Sequence, residues 1–183
     1  MFELVRLEDG IRCPRFTCGD SDLDEFYHSD SVLSAGHLLS VTYEIHDKAK
    51  KATLAFFCVS NDSITSEYAT RSGYNRLLSI VPREKRYSSM PAVKIGRLGV
   101  HVSHNNNGLG SDILEFIKAW FTEKNKTGCR FIIVDAYNLE RVINFYERNG
   151  FRFLTGNDEG SDTRIMYFDL MTYGYDELST TSE

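Results

Sequence analysis

Residues 94–121 constrain the fold more than any other part of the sequence. Their first half alternates apolar and polar positions around Ile95, Leu98, Val100 and Val102, and this alternation predicts a β-strand. Their second half predicts an amphipathic helix from Ser111 onwards. The apolar stripe of that helix consists of Ile113, Leu114, Ile117, Trp120 and Phe121. The chain therefore passes from a strand to a helix through one short polar turn.

That turn has the sequence Asn-Asn-Asn-Gly-Leu-Gly at residues 105–110. The first backbone N–H groups of a helix have no intrahelical partner, and together with the helix dipole they form a binding site for anions. Gly108 and Gly110 lack a Cβ atom, so we expect unusual backbone dihedrals there and a close approach of a phosphate to the main chain. The turn therefore predicts a pyrophosphate site.

Two motifs give the chain a resemblance to a known family. The succession strand, Q/R-x-x-G-x-G/A, helix, strand and FYE-x-x-GF is typical of the GNAT N-acetyltransferases, and this chain has N-N-N-G-L-G at residues 105–110 and FYERNGF at residues 145–151. It resembles that family over nearly its whole length. The resemblance implies an N-acetyltransferase with acetyl-CoA as cosubstrate. The segment FTCGDSDLDEF, at residues 16–26, resembles the branch that includes the acetyltransferase toxins of toxin–antitoxin pairs.

The sequence predicts an α/β protein with a mixed sheet and helices on both faces, because two strand–helix–strand passages occur along the chain. The resemblance implies the GNAT fold, in which a mostly antiparallel central sheet contains two parallel strands that splay apart. We expect a single GNAT domain over residues 1–173 and a polar, flexible tail over residues 174–183. Predicted strands cover residues 2–8, 40–47, 52–60, 94–102, 129–137, 151–154 and 164–170. Predicted helices follow the Gly-Asp-Ser run at residues 19–21 and cover residues 71–78, 111–126 and 139–148, the last one capped by Asn138.

Holding the acetyl donor is the first demand of acyl transfer from a thioester to an amine. We expect the N–H groups of residues 106–111 to bind the pyrophosphate, and the backbone of residues 98–100 to pair with pantetheine as one strand edge pairs with another. A main-chain donor of the same strand would stabilise the oxyanion. Gly99 in mid-strand indicates either a close backbone approach or a packing glycine. The predicted cofactor-binding residues are Leu98, Gly99, Val100, Asn105, Asn106, Asn107, Gly108, Leu109, Gly110, Ser111 and Asn138.

Tyr146 is the predicted general acid that protonates the departing thiolate. A phenol with a pKa of about 10 can donate to a sulfur whose thiol titrates at about 8.5. The resemblance implies this role, because FYERNGF places Tyr146 where many GNAT enzymes have their general acid. A tyrosine beside Phe145 on an amphipathic helix is also an ordinary core residue.

The second predicted catalytic residue is His101, at the end of the central strand, as a base or water relay for the attacking amine. His104, Glu67 and Glu84 are other candidates for this task. A histidine in a turn is commonly an ordinary surface residue, and many members of the family have no dedicated base.

Two positions depart from the family pattern. Asn105 stands where glutamine or arginine is usual, which removes reach or a charge from the pyrophosphate site. The asparagine often found seven residues before the tyrosine falls at Leu139, one position after Asn138. Either Asn138 contacts the pantetheine arm after a small shift or that contact is missing. Neither change alters the main-chain donors, so we expect acetyl-CoA binding to survive.

The net charge of −5 argues against a general nucleic-acid binder, because neutralising phosphates needs a basic face. The basic residues are nevertheless concentrated between Arg71 and Arg97, where seven basic side chains accompany one acidic side chain, Glu84. This segment is either a solvated surface that offsets an acidic body or a rim that steers an anionic substrate.

The cysteines and the apolar runs bear on the compartment. Cys13, Cys18, Cys58 and Cys129 show neither C-x-x-C pairing nor histidines at zinc-ligand spacing, so we expect reduced thiols and no metal. No secretory signal pattern is present, and no apolar run approaches the roughly 20 residues that span a bilayer. We therefore expect a soluble cytoplasmic protein without a membrane partner; a homodimer remains open.

Three functions are compatible with these observations. The first is an acetyl-CoA-dependent N-acetyltransferase that acts on a primary amine of a small molecule or protein by direct transfer in a ternary complex. The second is the toxin-like acetylation of aminoacyl-tRNA, which the basic segment favours and the acidic whole disfavours. The third is a non-catalytic acyl-CoA-binding protein, and the departure from the family pattern at Asn105 favours it.

Overall fold

The strands of the protein form one mixed sheet. The computed structural model describes residues 2–7, 15–47, 49, 52–82, 87–123, 125 and 127–173. The strands are β1 (Phe2–Arg6), β2 (Val41–Asp47), β3 (Ala52–Thr65), β4 (Ser89–Val100), β5 (Phe131–Tyr137), β6 (Arg152–Phe153) and β7 (Thr163–Asp169). Their order in the sheet is β1-β2-β3-β4-β5-β7-β6. The sheet is mostly antiparallel with one parallel pair, so the predicted α/β class is confirmed.

The helices occupy the connections between these strands. They are α1 (Ser21–Glu25), α2 (Ser31–Gly36), α3 (Arg71–Ser79), α4 (Leu109–Thr122) and α5 (Glu140–Arg148). A π-helical turn, Phe26–Asp30, joins α1 to α2, and short 3₁₀ segments occur at Val102–His104 and Leu170–Thr172. No helix in the described part of the chain is both long enough and apolar enough to cross a membrane.

The chain forms two compact units, of which the first comprises Met1–Ser60 and Ile95–Ile113. In this unit β2 pairs antiparallel with β1 on one side and with β3 on the other. Its aromatic core contains Phe16, Tyr27 and Phe56, and the rings of Phe16 and Phe56 meet edge to face with centroids 5.5 Å apart. Edge-to-face packing of this kind stabilises a core beyond its buried area.

The predicted cap at the start of the first helix is confirmed. The Oδ1 atom of Asp20 accepts hydrogen bonds from the N–H groups of Asp22 and Leu23, at 3.1 and 3.2 Å. The helical path then widens into the π-turn, where the hydroxyl of the fully buried Tyr27 donates to the carboxylate of Glu44. The side chain of His46 contacts the other oxygen of that buried carboxylate at 2.5 Å. The Tyr27 hydroxyl, which the π-turn carries into the core, and the buried Glu44 carboxylate are therefore both hydrogen-bonded, as buried polar groups generally are.

The second unit comprises Asn61–Lys94 and Leu114–Glu183. In it β7 pairs antiparallel with both β5 and β6. Arg130 donates from Nε and a terminal nitrogen to the two carboxylate oxygens of Asp169, at 2.6 and 2.9 Å. A bidentate pair of this kind fixes the ends of neighbouring strands. The apolar core of the unit consists of Ile64, Ala69, Tyr74, Leu77, Met90, Ala92, Phe131, Ile133, Leu154 and Tyr167.

Some predicted boundaries are wrong. The strand predicted to end at residue 60 continues to Thr65 in β3, because polar residues at its exposed positions hid its second half. The helix predicted from Ser111 begins at Leu109 and ends at Thr122. Gly128 follows in a left-handed conformation, with φ of 72°, so it shapes the turn to β5 and does not stop the helix. The central strand ends at Val100, because the 3₁₀ segment takes up residues 102–104.

Several predictions concern residues outside those that the structure describes. They are the tail at residues 174–183, Cys13, Glu84 and the basic residues Arg83, Lys85 and Arg86. The single-domain assignment of residues 1–173 stays a prediction. The other three cysteines, Cys18, Cys58 and Cys129, are free thiols.

Gly99 provides a test of the packing in the first unit. A Cβ atom at this position would lie 2.6 Å from Cε1 of the buried Phe56 ring. We expect Gly99→Ala to lower the free energy of unfolding by about 1–3 kcal/mol, the usual cost of overpacking a core, as measured by urea denaturation. Gly36→Ala is the control, because a Cβ there meets nothing within 4 Å. Equal stabilities of the two variants would contradict the packing described here.

Candidate functional site

The turn between β4 and α4 contains two residues in the left-handed conformation, Asn106 with φ of 63° and Gly108 with φ of 84°. Asparagine tolerates this region better than other residues with a side chain, and glycine has no Cβ to oppose it. Gly110 lies inside the first turn of α4, so the prediction that it needs an unusual dihedral is wrong. The sharp reversal of the chain thus depends on positions 106 and 108.

The reversal leaves a row of main-chain donors at the start of α4. The first helical hydrogen bonds are donated by Ser111 and Asp112, both to the carbonyl oxygen of Gly108, at 2.9 and 3.1 Å. The N–H groups of residues 106–110 precede these bonds and are the donors that a helix start offers to an anion. Residues 105–108 are exposed, and a Cβ on Gly108 would meet nothing within 4 Å. The turn is therefore open to a ligand at the position where the sequence predicts a pyrophosphate.

Gly108 provides a test of this turn. We expect Gly108→Ala to weaken acetyl-CoA binding by roughly tenfold, because the added methyl group both opposes the left-handed backbone and occupies the space that a phosphate would take. Isothermal titration calorimetry measures the change. Gly160→Ala, at a glycine that also has open space around it, is the control. Unchanged affinity in Gly108→Ala would remove the turn from the cofactor site.

The predicted pantetheine-pairing residues, Leu98, Gly99 and Val100, form the end of β4. Gly99 is buried, and its missing side chain makes room for the Phe56 ring. This contact supports the interpretation as a packing glycine. The role of the three residues toward pantetheine stays a prediction.

His101 begins the 3₁₀ segment and caps it. Its Nδ1 atom accepts a hydrogen bond from the N–H of Ser103 at 3.2 Å and lies 2.8 Å from the Ser103 hydroxyl. That hydroxyl is also 2.8 Å from Nδ1 of His104. Because a backbone N–H donates to Nδ1 of His101, the proton of the neutral imidazole is assigned to Nε2. His101 therefore has a structural role as a cap, and its role as a base stays a prediction.

Ser103 was missed in the sequence, although it links the two histidines. A serine two residues after a histidine carries no recognisable signal, because the hydrogen bond depends on the 3₁₀ turn. Of the other candidate bases, Glu67 is exposed and follows β3.

The motif FYERNGF folds into a Schellman motif at the end of α5. The N–H of Phe151 donates to the carbonyl of Tyr146 at 3.0 Å, and the N–H of Gly150 donates to that of Glu147 at 2.9 Å. Gly150 has the left-handed φ of 79° that this motif requires. The rings of Tyr146 and Phe151 pack with centroids 5.3 Å apart, the apolar contact that commonly accompanies it. The spacing of the motif thus fixes the position of the tyrosine on the helix.

The hydroxyl of Tyr146 is unengaged within the described part of the chain. Its ring is half-buried against Phe145 and Phe151. Burial raises the pKa of Tyr146 well above its usual value, because a phenolate would lose its hydration. The phenol therefore keeps its proton at any pH near neutrality and can donate it to a sulfur.

A buried lysine stabilises the same helix end and was also missed in the sequence. Lys118, whose side chain is 4% exposed, donates to the carbonyl of Asn149 at 2.8 Å and pairs with Glu115 at 2.5 Å. Its ammonium lies 4.4 Å from the centre of the Phe168 ring. A cation at the C-terminus of a helix complements the helix dipole. Its burial could have been recognised from its position four residues after Leu114, which places Lys118 on the apolar face of α4.

Asn138 does not cap α5, so that prediction is wrong. The cap position is Leu139, which makes no side-chain hydrogen bond there. The Asn138 amide instead donates to the carbonyls of Glu159 and Ser161, in the loop before β7, at 3.0 and 2.9 Å. Its contact with pantetheine stays a prediction.

Gly150 provides a test of how Tyr146 is held. We expect Gly150→Ala to lower the free energy of unfolding by about 1–2 kcal/mol through left-handed strain and to lower kcat in addition, because the new Cβ would lie 3.1 Å from the Phe168 ring. Gly128→Ala introduces the same strain at a site without neighbours. Urea denaturation and steady-state kinetics measure both quantities. A kcat equal in the two variants would show that the C-cap does not control Tyr146.

No group of histidine, cysteine, aspartate and glutamate side chains among the described residues is arranged to hold a metal ion.

Residues 66–153 match the family model of the Acetyltransferase (GNAT) domain. This stretch contains the turn, α4, β5, α5 and the Schellman motif. The class of protein that the fold and this match indicate is that of the GNAT N-acetyltransferases. No curated protein matches the chain in sequence.

Solved structures with the same fold include toxins of this class. AtaT complexed with acetyl-methionyl-tRNAfMet is 19% identical with a TM-score of 0.76, covering 99% of this chain and 100% of that one. AtaTR bound with AcCoA is 19% identical with a TM-score of 0.74, covering 98% of each chain. A point mutant of KacT is 16% identical with a TM-score of 0.75, covering 93% of this chain and 96% of that one. At these identities the similarity establishes the GNAT fold.

Proposed function

We propose that the protein transfers the acetyl group of acetyl-CoA directly to a primary amine. The observation that carries this proposal is the exposed turn at residues 105–108, whose left-handed positions present main-chain donors at the start of α4. A diphosphate is the anion that matches such a row of N–H groups. The GNAT domain match and the neighbour bound to AcCoA support the choice of acetyl-CoA.

Each step of the transfer has a proposed group in the chain. The amine nitrogen attacks the thioester carbonyl, and a main-chain donor of residues 98–100 stabilises the oxyanion that forms. The carbon–sulfur bond then breaks, and the sulfur takes the proton of the Tyr146 phenol. The amine loses its own proton to water or to His101, and that proton finally restores the phenol. The Tyr146 hydroxyl makes no hydrogen bond among the described residues and is protonated at neutral pH, as a general acid must be before it acts.

As the acceptor we propose the α-amino group of an aminoacyl-tRNA. A structural neighbour is solved with acetyl-methionyl-tRNAfMet, the product of such a reaction. The described part of the basic segment, which includes Arg71 and Arg76 on α3, offers cations for phosphates. The neighbours contribute the fold, and the acceptor is our inference for this chain.

A second candidate acceptor is a cationic amine of a small molecule or protein. The net charge of −5 favours this candidate, because an acidic protein attracts cations. Except at its local basic surfaces, such a protein repels nucleic acid. A non-catalytic acyl-CoA-binding protein would bind the cofactor and release no CoA from it.

The proposal predicts that Tyr146→Phe lowers kcat by about a hundredfold, the typical contribution of a general acid, with acetyl-CoA affinity unchanged. Tyr68→Phe, at an exposed tyrosine, is the control. The assay measures CoA release with aminoacyl-tRNA, small amines and peptides in parallel. Because burial raises the pKa of Tyr146, we also expect no loss of kcat between pH 8 and about 10 from ionisation of this phenol.

The outcomes separate the candidates. Acetylated aminoacyl-tRNA in the product supports the proposed acceptor, and turnover confined to small amines or peptides contradicts it. Full activity of Tyr146→Phe would remove the phenol from the mechanism. Acetyl-CoA binding without CoA release in any reaction would favour the non-catalytic protein.

A further inference from the structure

The second unit contains an open cavity of about 670 Å³ that the chemistry above does not use. Its walls come from the start of α3, the end of β6, the residues that follow β6 and the start of β7. The start of α3 and the residues that follow β6 meet closely because residue 73 is a glycine, where a Cβ would lie 3.0 Å from the carbonyl oxygen of Leu154. The cavity volume lies within the usual range for sites of small ligands and is sufficient for one nucleotide.

Arg164 supplies donors to this cavity. Its side chain is 12% exposed, its Nε donates to Asp158 at 2.9 Å, and its guanidinium lies 4.2 Å from the centre of the Phe153 ring. Within the described residues its two terminal nitrogens have no hydrogen-bond partner. These nitrogens are not among the buried polar atoms without a partner, so they are open to the cavity, where charged donors are suited to an oxyanion.

The charges in the cavity suit a monoanion. Asp158 offsets Arg164, and its second carboxylate oxygen accepts the N–H of Ile165 at 2.6 Å, so each of its oxygens already accepts a hydrogen bond. Arg76 is exposed and lines the cavity without an acidic partner in the described part of the chain. The net charge of about +1 matches one phosphodiester better than a diphosphate.

The remaining walls suit the other parts of a nucleotide. Hydroxyl groups of Thr70, Ser72 and Thr155 line the cavity and can donate to phosphate or ribose oxygens. One face of the Arg164 guanidinium packs on Phe153, and a guanidinium plane is a surface on which an unpaired RNA base stacks. Charge, hydroxyl groups and a flat cationic surface thus occur together.

We propose that this cavity binds one nucleotide of an RNA strand, with the phosphodiester between Arg76 and the terminal nitrogens of Arg164. This inference rests on the proposed acceptor, aminoacyl-tRNA, and gives that acceptor a specific contact on the protein. The reaction itself needs no additional chemistry at the cavity, because the contact positions the strand without forming or breaking a bond.

Two glycines of one loop provide a matched test. Gly156 lines the cavity and Gly160 does not, and a Cβ on either meets nothing within 4 Å. Gly156→Glu and Gly160→Glu therefore change the net charge equally. With fluorescein-labelled deacylated tRNA as the probe, we expect Gly156→Glu to raise Kd by roughly tenfold, because like charges are then opposed, and Gly160→Glu to raise it by less than about twofold.

The salt dependence provides a second measurement on a variant that leaves the buried groups intact. We expect Arg76→Gln to raise Kd by about three- to fivefold, the worth of an exposed ion pair, and to reduce the slope of log Kd against log salt by about one phosphate contact. Arg76→Lys restores the slope. Arg6→Gln, at an exposed arginine of β1, is the control and leaves it unchanged. Calorimetry with acetyl-CoA verifies that each variant still binds the cofactor.

The results separate this inference from the proposed function. If the wild type acetylates aminoacyl-tRNA but the two glutamate variants bind tRNA equally, the cavity is not the RNA site and the acceptor stands. If tRNA binding depends on Gly156 and Arg76 but no acetylated aminoacyl-tRNA forms, the cavity stands and the proposed acceptor is wrong. Absence of tRNA binding by the wild type, or an unchanged slope in Arg76→Gln, overturns the inference.

Discussion

The hydrogen bond from the N–H of Phe151 to the carbonyl of Tyr146 determines how the proposed acid is presented. A tyrosine on a helix has several rotamers, and the packing of its ring against the residue that closes the C-cap removes most of them. Lys118 adds a charge at the same helix end, so two independent interactions hold α5 at its C-terminus. In this view FYERNGF is primarily a device for ending a helix. The catalytic role proposed for Tyr146 would depend on the rigidity of that ending.

At α4 the important end of the helix is its N-terminus. There the left-handed residues Asn106 and Gly108 turn the backbone so that exposed main-chain donors precede the first helical hydrogen bonds. Asparagine at position 106 accepts some strain that glycine would avoid. Both termini therefore use left-handed residues: at α4 they leave main-chain N–H groups exposed, and at α5 they pair the last main-chain groups in the Schellman motif.

The sequence predicted those parts of the fold that depend on local patterns. The alternation around Ile95 and the spacing of Ile113 and Ile117 predicted β4 and α4, and Asn149-Gly150 predicted the end of α5. It did not predict the second half of β3, because exposed strand positions tolerate polar residues such as Asn61 and so lose the apolar signal. The alternation of apolar and polar residues reflects burial, so a stretch of strand that is not buried shows no such alternation.

The local geometry of the candidate site was predictable to the same degree. The position of Tyr146 and the turn at residues 105–110 come from local motifs, whereas the hydrogen bond of His101 to Ser103 and the buried Lys118 depend on backbone geometry that spacing does not encode. Asn138 shows the limit: a good capping residue one position too early hydrogen-bonds a distant loop instead. The cavity beside Arg164 was not predictable, because its lining residues lie about 80 positions apart along the chain.

The contact between Gly99 and the Phe56 ring limits the order in which these two positions can change during evolution. A larger residue at position 99 is tolerated only after the aromatic ring at position 56 has been replaced by a smaller side chain. The reverse order passes through an overpacked intermediate. Lineages that carry alanine on the central strand should therefore carry a smaller residue on its neighbour, and the two substitutions should be inherited together.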